Sequence, residues 1–295
     1  MTIPGPKPVT VGIDGSSSAL DAACWAAAEA VRRSTWLRVV FCDVLAQMYL
    51  PDLPTMPPPQ TYSDALARQA QVWLHRAKEE AHAAAPVVEV RTFVRAGDAA
   101  SVLIEESRKA QLMVVGSRGL GGFTGLVVGS VAVALCAQGQ CPVAVVRRPA
   151  TDLRPDAPVV VGVDARDGQE LVLTAAFDAA AMRSAPLVAV HAWHEAGSEQ
   201  AWYSFHAEGR GAAVQAEEER FLAETMAGWG DKYPDVAVRR VVAHGRPARA
   251  LLEQAEHAQL VVVGARGRGG FTGLLLGSTS QQLVHHAPCL LLVVH

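Results

Sequence analysis

The chain is one unit written twice, and this repeat restricts its fold more than any other feature. "VTVGIDGSSS" from Val9 matches "VVVGVDARDG" from Val159 at an offset of 150 residues. "AGDAASVLIEESRKAQLMVVGS" from Ala96 matches "HGRPARALLEQAEHAQLVVVGA" from His244 at an offset of 148. Within the repeat, "LMVVGSRGLGGFTGLVVGSV" (Leu112 to Val131) and "LVVVGARGRGGFTGLLLGST" (Leu260 to Thr279) agree at 14 of 20 positions, every glycine included. A period of about half a 295-residue chain means two copies of one domain, not a solenoid of short repeats. The join lies in "RRPATDLRPDAP", where prolines and mixed charge describe a short, stiff linker. The expected division is a first domain over 1–148, a linker over 149–157 and a second domain over 158–295.

Each copy alternates strand and helix patterns. In the first, "VTVGID" reads as a strand and "SSSALDAACWAAAEAVRR" as a helix whose serines suit its N-terminus. "LRVVFCDVL" follows as a strand, and a proline-rich loop then leads to a long helix from about Ser63 to Ala84. "VVEVRTFV" is a strand, "AASVLIEESRKA" a helix and "QLMVVG" a strand; the glycine loop, a helix from about Ser130 and the strand "CPVAVV" close the unit. Short, continuously apolar strands separated by helices specify a parallel sheet covered on both faces. Right-handed crossovers leave few other solutions. The fold class is therefore α/β: two tandem copies of an open, doubly wound, Rossmann-like five-stranded parallel sheet with helices on both faces.

The glycines carry the chemistry. The first loop is Gly116-x-x-Gly119, nine residues, then Gly129-Ser130; the second is Gly264-x-x-Gly267, nine residues, then Gly277-Ser278. Gly116 and Gly264 end an apolar strand, where a missing Cβ lets a ribose or phosphate approach the backbone. Gly119 and Gly267 permit a turn with positive φ, which points successive amides at one anion. Gly129-Ser130 and Gly277-Ser278 begin a helix, whose dipole and unpaired amides favour negative charge, and whose serine can cap the helix or donate to phosphate. Open α/β sheets bind ligands at the carboxyl ends of their strands. Asp14 and Asp164 close the first strand of each copy at such an end, where a carboxylate can hold a ribose, an adenine edge or a metal through water. The bland alternative is that these glycines only make a tight connection. Matched spacing in two copies, with a matched Asp and Ser, weighs against it.

The rival motifs are absent: neither loop has the lysine of a Walker P-loop, and there is no G-x-G-x-x-G, G-x-S-x-G or H-E-x-x-H. A net charge of -3 argues against a nucleic-acid partner. No segment holds the roughly 18 uninterrupted apolar residues of a membrane span, and no signal-peptide core opens the chain. Five cysteines, an odd number with no C-x-x-C pair, read as small buried hydrophobes in a reducing compartment. A cytoplasmic protein is expected.

The strand-terminal Asp, the G-x2-G-x9-G-S pattern and the closing "CPVAVV" strand together resemble the universal stress protein family, and the repeat resembles its tandem two-domain form in actinobacteria. The resemblance implies ATP binding, a role in stress or dormancy adaptation, and homodimers that pair through the last strand. Carried across by position, it implies ATP contacts from Asp14, Gly116, Gly119, Gly129 and Ser130 in copy one. In copy two they would come from Asp164, Gly264, Gly267, Gly277 and Ser278. Adenine would meet backbone at the end of the second strand, at Cys42 and Ala192. Copy two departs from copy one in Arg166, which stands where copy one has Ser16, and in Leu290 where copy one has Pro142.

Other features carry less. His285-His286 and the pair His191 and His194 lack the converging third and fourth ligands of a zinc site. A magnesium ion carried on nucleotide phosphates needs few protein ligands. Arg118 and Arg266 hold matched loop positions, and Arg268 follows the second. The long connections after the second strands, which include Trp202, Tyr203 and Phe205, suit a lid or a partner contact. No catalytic set is legible: phosphoryl transfer needs a cationic clamp, metal-holding carboxylates and a base, and only one Asp per copy is placed. A regulatory nucleotide-binding protein is the leading expectation. A slow ATP hydrolase or nucleotidyl transferase on the same fold is the rival. A third possibility is a second copy that has lost its nucleotide and serves as a structural module.

Overall fold

The computed structural model describes residues 6–44, 60–119, 128–147, 156–164, 169–193, 210–266 and 276–295. The chain divides into two compact units, Met1–Leu153 and Arg154–Val294.

In the first unit β1 (Val9–Ile13), β2 (Leu37–Asp43), β3 (Val90–Ala96), β4 (Leu112–Gly116) and β5 (Val143–Val146) form a parallel sheet in the order β3-β2-β1-β4-β5. Valine, isoleucine and leucine fill the central strands because both faces are covered; every residue of β1 and β5 is buried. The helices are α1 (Ser17–Arg32), α2 (Gln60–Ala84), α3 (Ala99–Ser107) and α4 (Ser130–Gln138). Helix α1 buries a face rich in alanine, from Ala19 through Ala30, together with Leu20, Trp25 and Glu29. Helix α2 packs beside α1.

The second unit repeats this plan. β6 (Val159–Val163), β7 (Leu187–Trp193), β8 (Val238–His244), β9 (Leu260–Gly264) and β10 (Leu290–Val294) run parallel in the order β8-β7-β6-β9-β10. Its helices are α5 (Gln169–Ala181), α6 (Arg210–Thr225), a single turn α7 (Trp229–Lys232), α8 (Pro247–Ala255) and α9 (Ser278–His286). Even local backbone strain repeats: Ser34 and Ser184 take φ of 50° and 49°, and each follows the helix behind the first strand of its unit.

Several boundaries differ from expectation by two or three residues. Helix α2 starts at Gln60, ahead of Ser63, and β3 starts at Val90 because Val87 lies in a turn, 82% exposed. Helix α7 had no counterpart in the sequence reading; Trp229 and Tyr233 stack on Phe177 with centroids 4.9 and 5.0 Å away, and that packing holds the turn. The expected linker lies largely outside the described residues.

Strand order in each unit reverses beside the first strand. From β1 the chain moves outward through β2 and β3, then returns to place β4 on the other side of β1. A crevice opens at such a reversal, because the helices that follow the two strands leave on opposite faces.

Candidate functional site

The tips of β1, β2 and β4 set the site in the first unit. β1 pairs with β2 up to Ile13↔Phe41 and with β4 through Val11↔Val114. One step further brings Asp14 level with Cys42, and the same register brings Ile13 level with Gly116. Asp14 is then held by its own turn, its Oδ1 accepting from the Ser16 backbone amide at 3.0 Å. Gly15 adopts φ +90°, and a Cβ there would drive into the Trp73 indole, which lies over the turn and tilts against Phe41 at 5.5 Å. Ser16 N-caps α1 by accepting from Ala19 N at 3.2 Å.

The glycine loop closes against this turn. Gly119 does not take the expected positive φ; it is kept small instead by Asp14 Oδ2, which stands where a Cβ would lie. Ser16 Oγ donates to the Arg118 carbonyl and Arg118 N donates to Ser18 Oγ, each at 3.5 Å. Ser117 N donates to the Val146 carbonyl at 2.8 Å, and the Ser117 carbonyl accepts from Gly129 N at 2.8 Å. The two ends of the loop are therefore pinned together on the sheet, whatever course 120–127 takes between them. Arg118 is exposed beside Gly119.

Gly116 serves a different purpose from the one expected. Its missing Cβ does not leave space for a ligand: the Ser18 carbonyl oxygen and carbon would lie 2.7 and 2.8 Å from a side chain there. Gly116 lets the first turn of α1 rest directly on β4. Gly129 has φ −75° and ψ 149°, open to any residue, and ordinary space around it. Its contribution is at the helix end. Gly129 is the N-cap of α4, so no side chain caps that helix, and Ser130 is the exposed first helical residue rather than the cap. By contrast, α1 and α3 are capped by Ser16 and by Asp98, which accepts from Ser101 N at 3.0 Å.

Copy two reproduces the frame. Val163 pairs with His191, so Asp164 stands level with Ala192, and Ala265 N donates to the Val294 carbonyl at 2.6 Å. The Ala265 carbonyl accepts from Gly277 N at 2.8 Å, which pins the second loop as the first is pinned. Gly277 is likewise an uncapped N-cap, ahead of exposed Ser278. Gly264 is looser than Gly116; a Cβ there would meet the Arg266 carbonyl at 3.3 Å and Val172 at 3.4 Å. Gln169 holds the end of β6: its Oε1 accepts from Asp164 N at 3.4 Å and its Nε2 donates to the Gly162 carbonyl at 3.2 Å. Gly267, Arg166, Arg268, His194, Trp202, Tyr203 and Phe205 lie outside the described residues.

The walls behind the second strands differ. In copy one Phe41 meets Trp73, with buried Ala70 one turn before Trp73 on α2. In copy two the matched positions are His191, Phe221 and Glu218. The buried His191 contacts the Val163 carbonyl through Nδ1 at 2.9 Å and Glu218 Oε2 through Nε2 at 2.8 Å. Beside it Trp193 Nε1 donates to Gln215 at 3.1 Å. His191, noted in the sequence only as half of a histidine pair, thus has both nitrogens engaged within the fold. Cys42 has no such partner network; burial, followed by the charges of Asp98 and Glu106, pushes its thiol up to about 12.

The universal stress protein family model matches residues 6–147 and again 157–295. The chain belongs to the universal stress protein family. Universal stress proteins of Mycobacterium bovis and Mycobacterium tuberculosis are 39% identical to it over 289 residues, covering 95% of this chain and 94% of theirs. A second universal stress protein of Mycobacterium tuberculosis is 36% identical over 296 residues, 94% of this chain and 91% of its own. Among solved structures, a universal stress protein from Archaeoglobus fulgidus is similar with a TM-score of 0.68 at 20% identity, with 98% of each chain covered. A functionally unknown protein from Pseudomonas aeruginosa follows at 0.64 and 18% identity, over 98% of this chain and 92% of its own. These likenesses establish the tandem family fold. Among the described residues no helix is long and apolar enough to cross a membrane.

Proposed function

We propose that the protein is a cytoplasmic, ATP-binding regulator of stress or dormancy adaptation, with one nucleotide cleft in each of two domains, 1–148 and 158–295, joined by 149–157. In this reading the phosphates lie on the glycine loop and the uncapped N-termini of α4 and α9, where Ser130 and Ser278 stand exposed to donate. Asp14 and Asp164 hold the ribose, and adenine meets backbone at Cys42 and Ala192. Mg2+ arrives on the phosphates, and two chains pair through their last strands.

One observation carries this reading. In both copies the helix that follows the glycine loop starts on a glycine and has no side-chain cap, while in copy one α1 and α3 are capped. First-turn amides lack helical acceptors. An anion is the natural partner for such an end.

The test is the nucleotide content of freshly purified protein, released by denaturation and counted by mass spectrometry. About one ATP per copy is expected. Asp14→Asn, which keeps an acceptor for the Ser16 amide, and Asp164→Asn should each weaken one cleft by roughly 10–100-fold, the worth of one charge-assisted hydrogen bond. Gly119→Ala should empty the first cleft alone, because its methyl group would force Asp14 aside. Protein that contains no nucleotide and takes up none from added ATP would mean that the repeated turn is architecture. Timing ADP formation in the same sample decides between regulator and slow hydrolase.

A further inference from the structure

His191 is buried, and both of its ring nitrogens face acceptors. The Val163 carbonyl can only accept, so Nδ1 must carry a hydrogen. Glu218 Oε2 lies 2.8 Å from Nε2, and two bare lone pairs do not sit at that distance. The contact needs a proton, whether it resides on the imidazole or on the carboxyl. We infer that His191 and Glu218 share this proton as a positioning pair, and that it makes nucleotide occupancy of the second cleft, but not the first, depend on pH.

The geometry gives the pair its reach. The Val163 carbonyl precedes Asp164, and His191 precedes Ala192. One imidazole thus ties α6 to the two strand tips that the proposed cleft uses. Loss of the proton leaves the Nε2 lone pair against an ionised carboxylate, and α6 is then repelled from β7. Among the described residues, the other charged groups around His191 do not supply a substitute. On β8, Arg240 and His244 stand two positions on either side of Val242, the residue level with His191. Arg240 lines a surface groove with Glu219, Leu222, Ala223 and Val242, and His244 lies edge-on to Trp193 at 4.9 Å. On α6, Glu219 accepts from Gln215 at 2.9 Å. On α5, Asp178 accepts from the Tyr233 hydroxyl at 2.7 Å, and Glu170 lies in the exposed first turn. Asp164 stands at the end of β6, directly after Val163.

Copy one has no equivalent. Phe41, Ala70 and Trp73 occupy the places of His191, Glu218 and Phe221, at offsets of 150 on the strand and 148 on the helix. The same 148-residue offset pairs the buried Leu74 with Leu222. The double substitution H191F/E218A therefore rebuilds in copy two a pairing that the chain already accommodates in copy one.

The pH effect rests on the nucleotide reading above; the shared proton does not. The experiment accordingly has two parts, both on the full-length chain. Nitrogen-15 spectra of labelled histidine, assigned with H191F/E218A, report the ring protons without nucleotide. Both nitrogens protonated, or Nε2 accepting from a neutral Glu218 carboxyl, is expected, with one proton lost in E218Q. A neutral ring beside an ionised Glu218 overturns the inference. ATP titrations across pH should show one class of sites weakening once the proton leaves. Titration of ATP itself affects both clefts alike, and the double variant should show that common behaviour only. Identical pH profiles for wild type and H191F/E218A overturn the coupling. Protein that binds no ATP at any pH defeats the nucleotide reading and leaves the proton to be judged by the spectra.

Discussion

The two copies share the glycine-loop side of the candidate cleft and differ on the side facing the second strand. Loop ends are pinned alike, from Ser117 to Gly129 and from Ala265 to Gly277, and both terminal helices start on an uncapped glycine. Behind the second strand, by contrast, an aromatic pair in copy one becomes an ionisable pair in copy two. The glycine turn of copy one has little freedom to change, because Gly15, Gly116 and Gly119 leave no room for a side chain. A side wall can exchange apolar contact for a hydrogen-bonded pair of similar volume without moving the backbone. Divergence between the copies has therefore collected where the fold tolerates it, and there it sets what each cleft responds to.

The comparison can be broken most forcefully at the glycine that ends the fourth strand of each unit. In Gly116→Ala the new methyl would meet the Ser18 backbone, which cannot yield without lifting α1 from the sheet. The cost expected is about 1–3 kcal/mol, as for other overpacked interiors. Gly264→Ala meets its neighbours at 3.3–3.4 Å and should cost less than about 1 kcal/mol. Urea unfolding followed by amide exchange in each unit separates the two effects. Equal costs would mean that the two glycines serve one purpose in packing, and that the looser fit around Gly264 has no energetic consequence.

A smaller asymmetry lies at the start of the next helix. Asp98 caps α3, with Oδ2 accepting from Ser101 N at 3.0 Å and from Ser101 Oγ at 3.1 Å, whereas Arg246 holds the matched place before α8 and caps nothing with its side chain. Asp98→Ala should cost about 1 kcal/mol, and Arg246→Asp should add about 0.5–1 kcal/mol to the second unit. Because Pro247 already suits the first helical position, the gain comes from the cap alone. Thermal melts of the two variants against wild type read the difference. A destabilised Arg246→Asp would show that the arginine is retained for its charge.

Much of this was legible in the sequence, for reasons tied to particular residues. The repeat fixed the unit, the apolar runs from Val9 and Leu112 gave the parallel strands, and Ser16 marked the start of α1. Those features are local, and local patterns survive in a one-dimensional reading. The purpose of Gly116 was not legible, because the atoms that occupy its missing side chain belong to Ser18, 98 positions earlier. The His191–Glu218 pair was equally hidden, since its partners lie on a strand and a helix 27 residues apart. A signal for it did exist: aligning the copies shows Phe41, Ala70 and Trp73 exchanged together for His191, Glu218 and Phe221. A coordinated exchange of that kind points to contact before any coordinates are known.

The smallest effect belongs to Cys42, and it tests the comparison from the side of copy one. Copy two has Ala192 at the matched position, so a thiol reagent at this point reports on the first cleft only. Burial pushes the Cys42 thiol up to about 12, and the nearby Asp98 and Glu106 act in the same direction. The thiolate is the reactive form, and at neutral pH it makes up only about one part in 10⁵. Alkylation of Cys42 should therefore be slow near neutrality and should accelerate about tenfold for each pH unit up to about 12. Peptide mass spectrometry follows this residue separately from the buried Cys136, whose thiol also stands at about 12. Added ATP should slow the Cys42 reaction if adenine covers the tip of β2. The same nucleotide should leave Cys136 unaffected, because that side chain faces the interior between α4 and the sheet. Protection of both cysteines alike would indicate a general tightening of the unit, whereas protection of Cys42 alone would place the ligand over the strand tip that Asp14 shares.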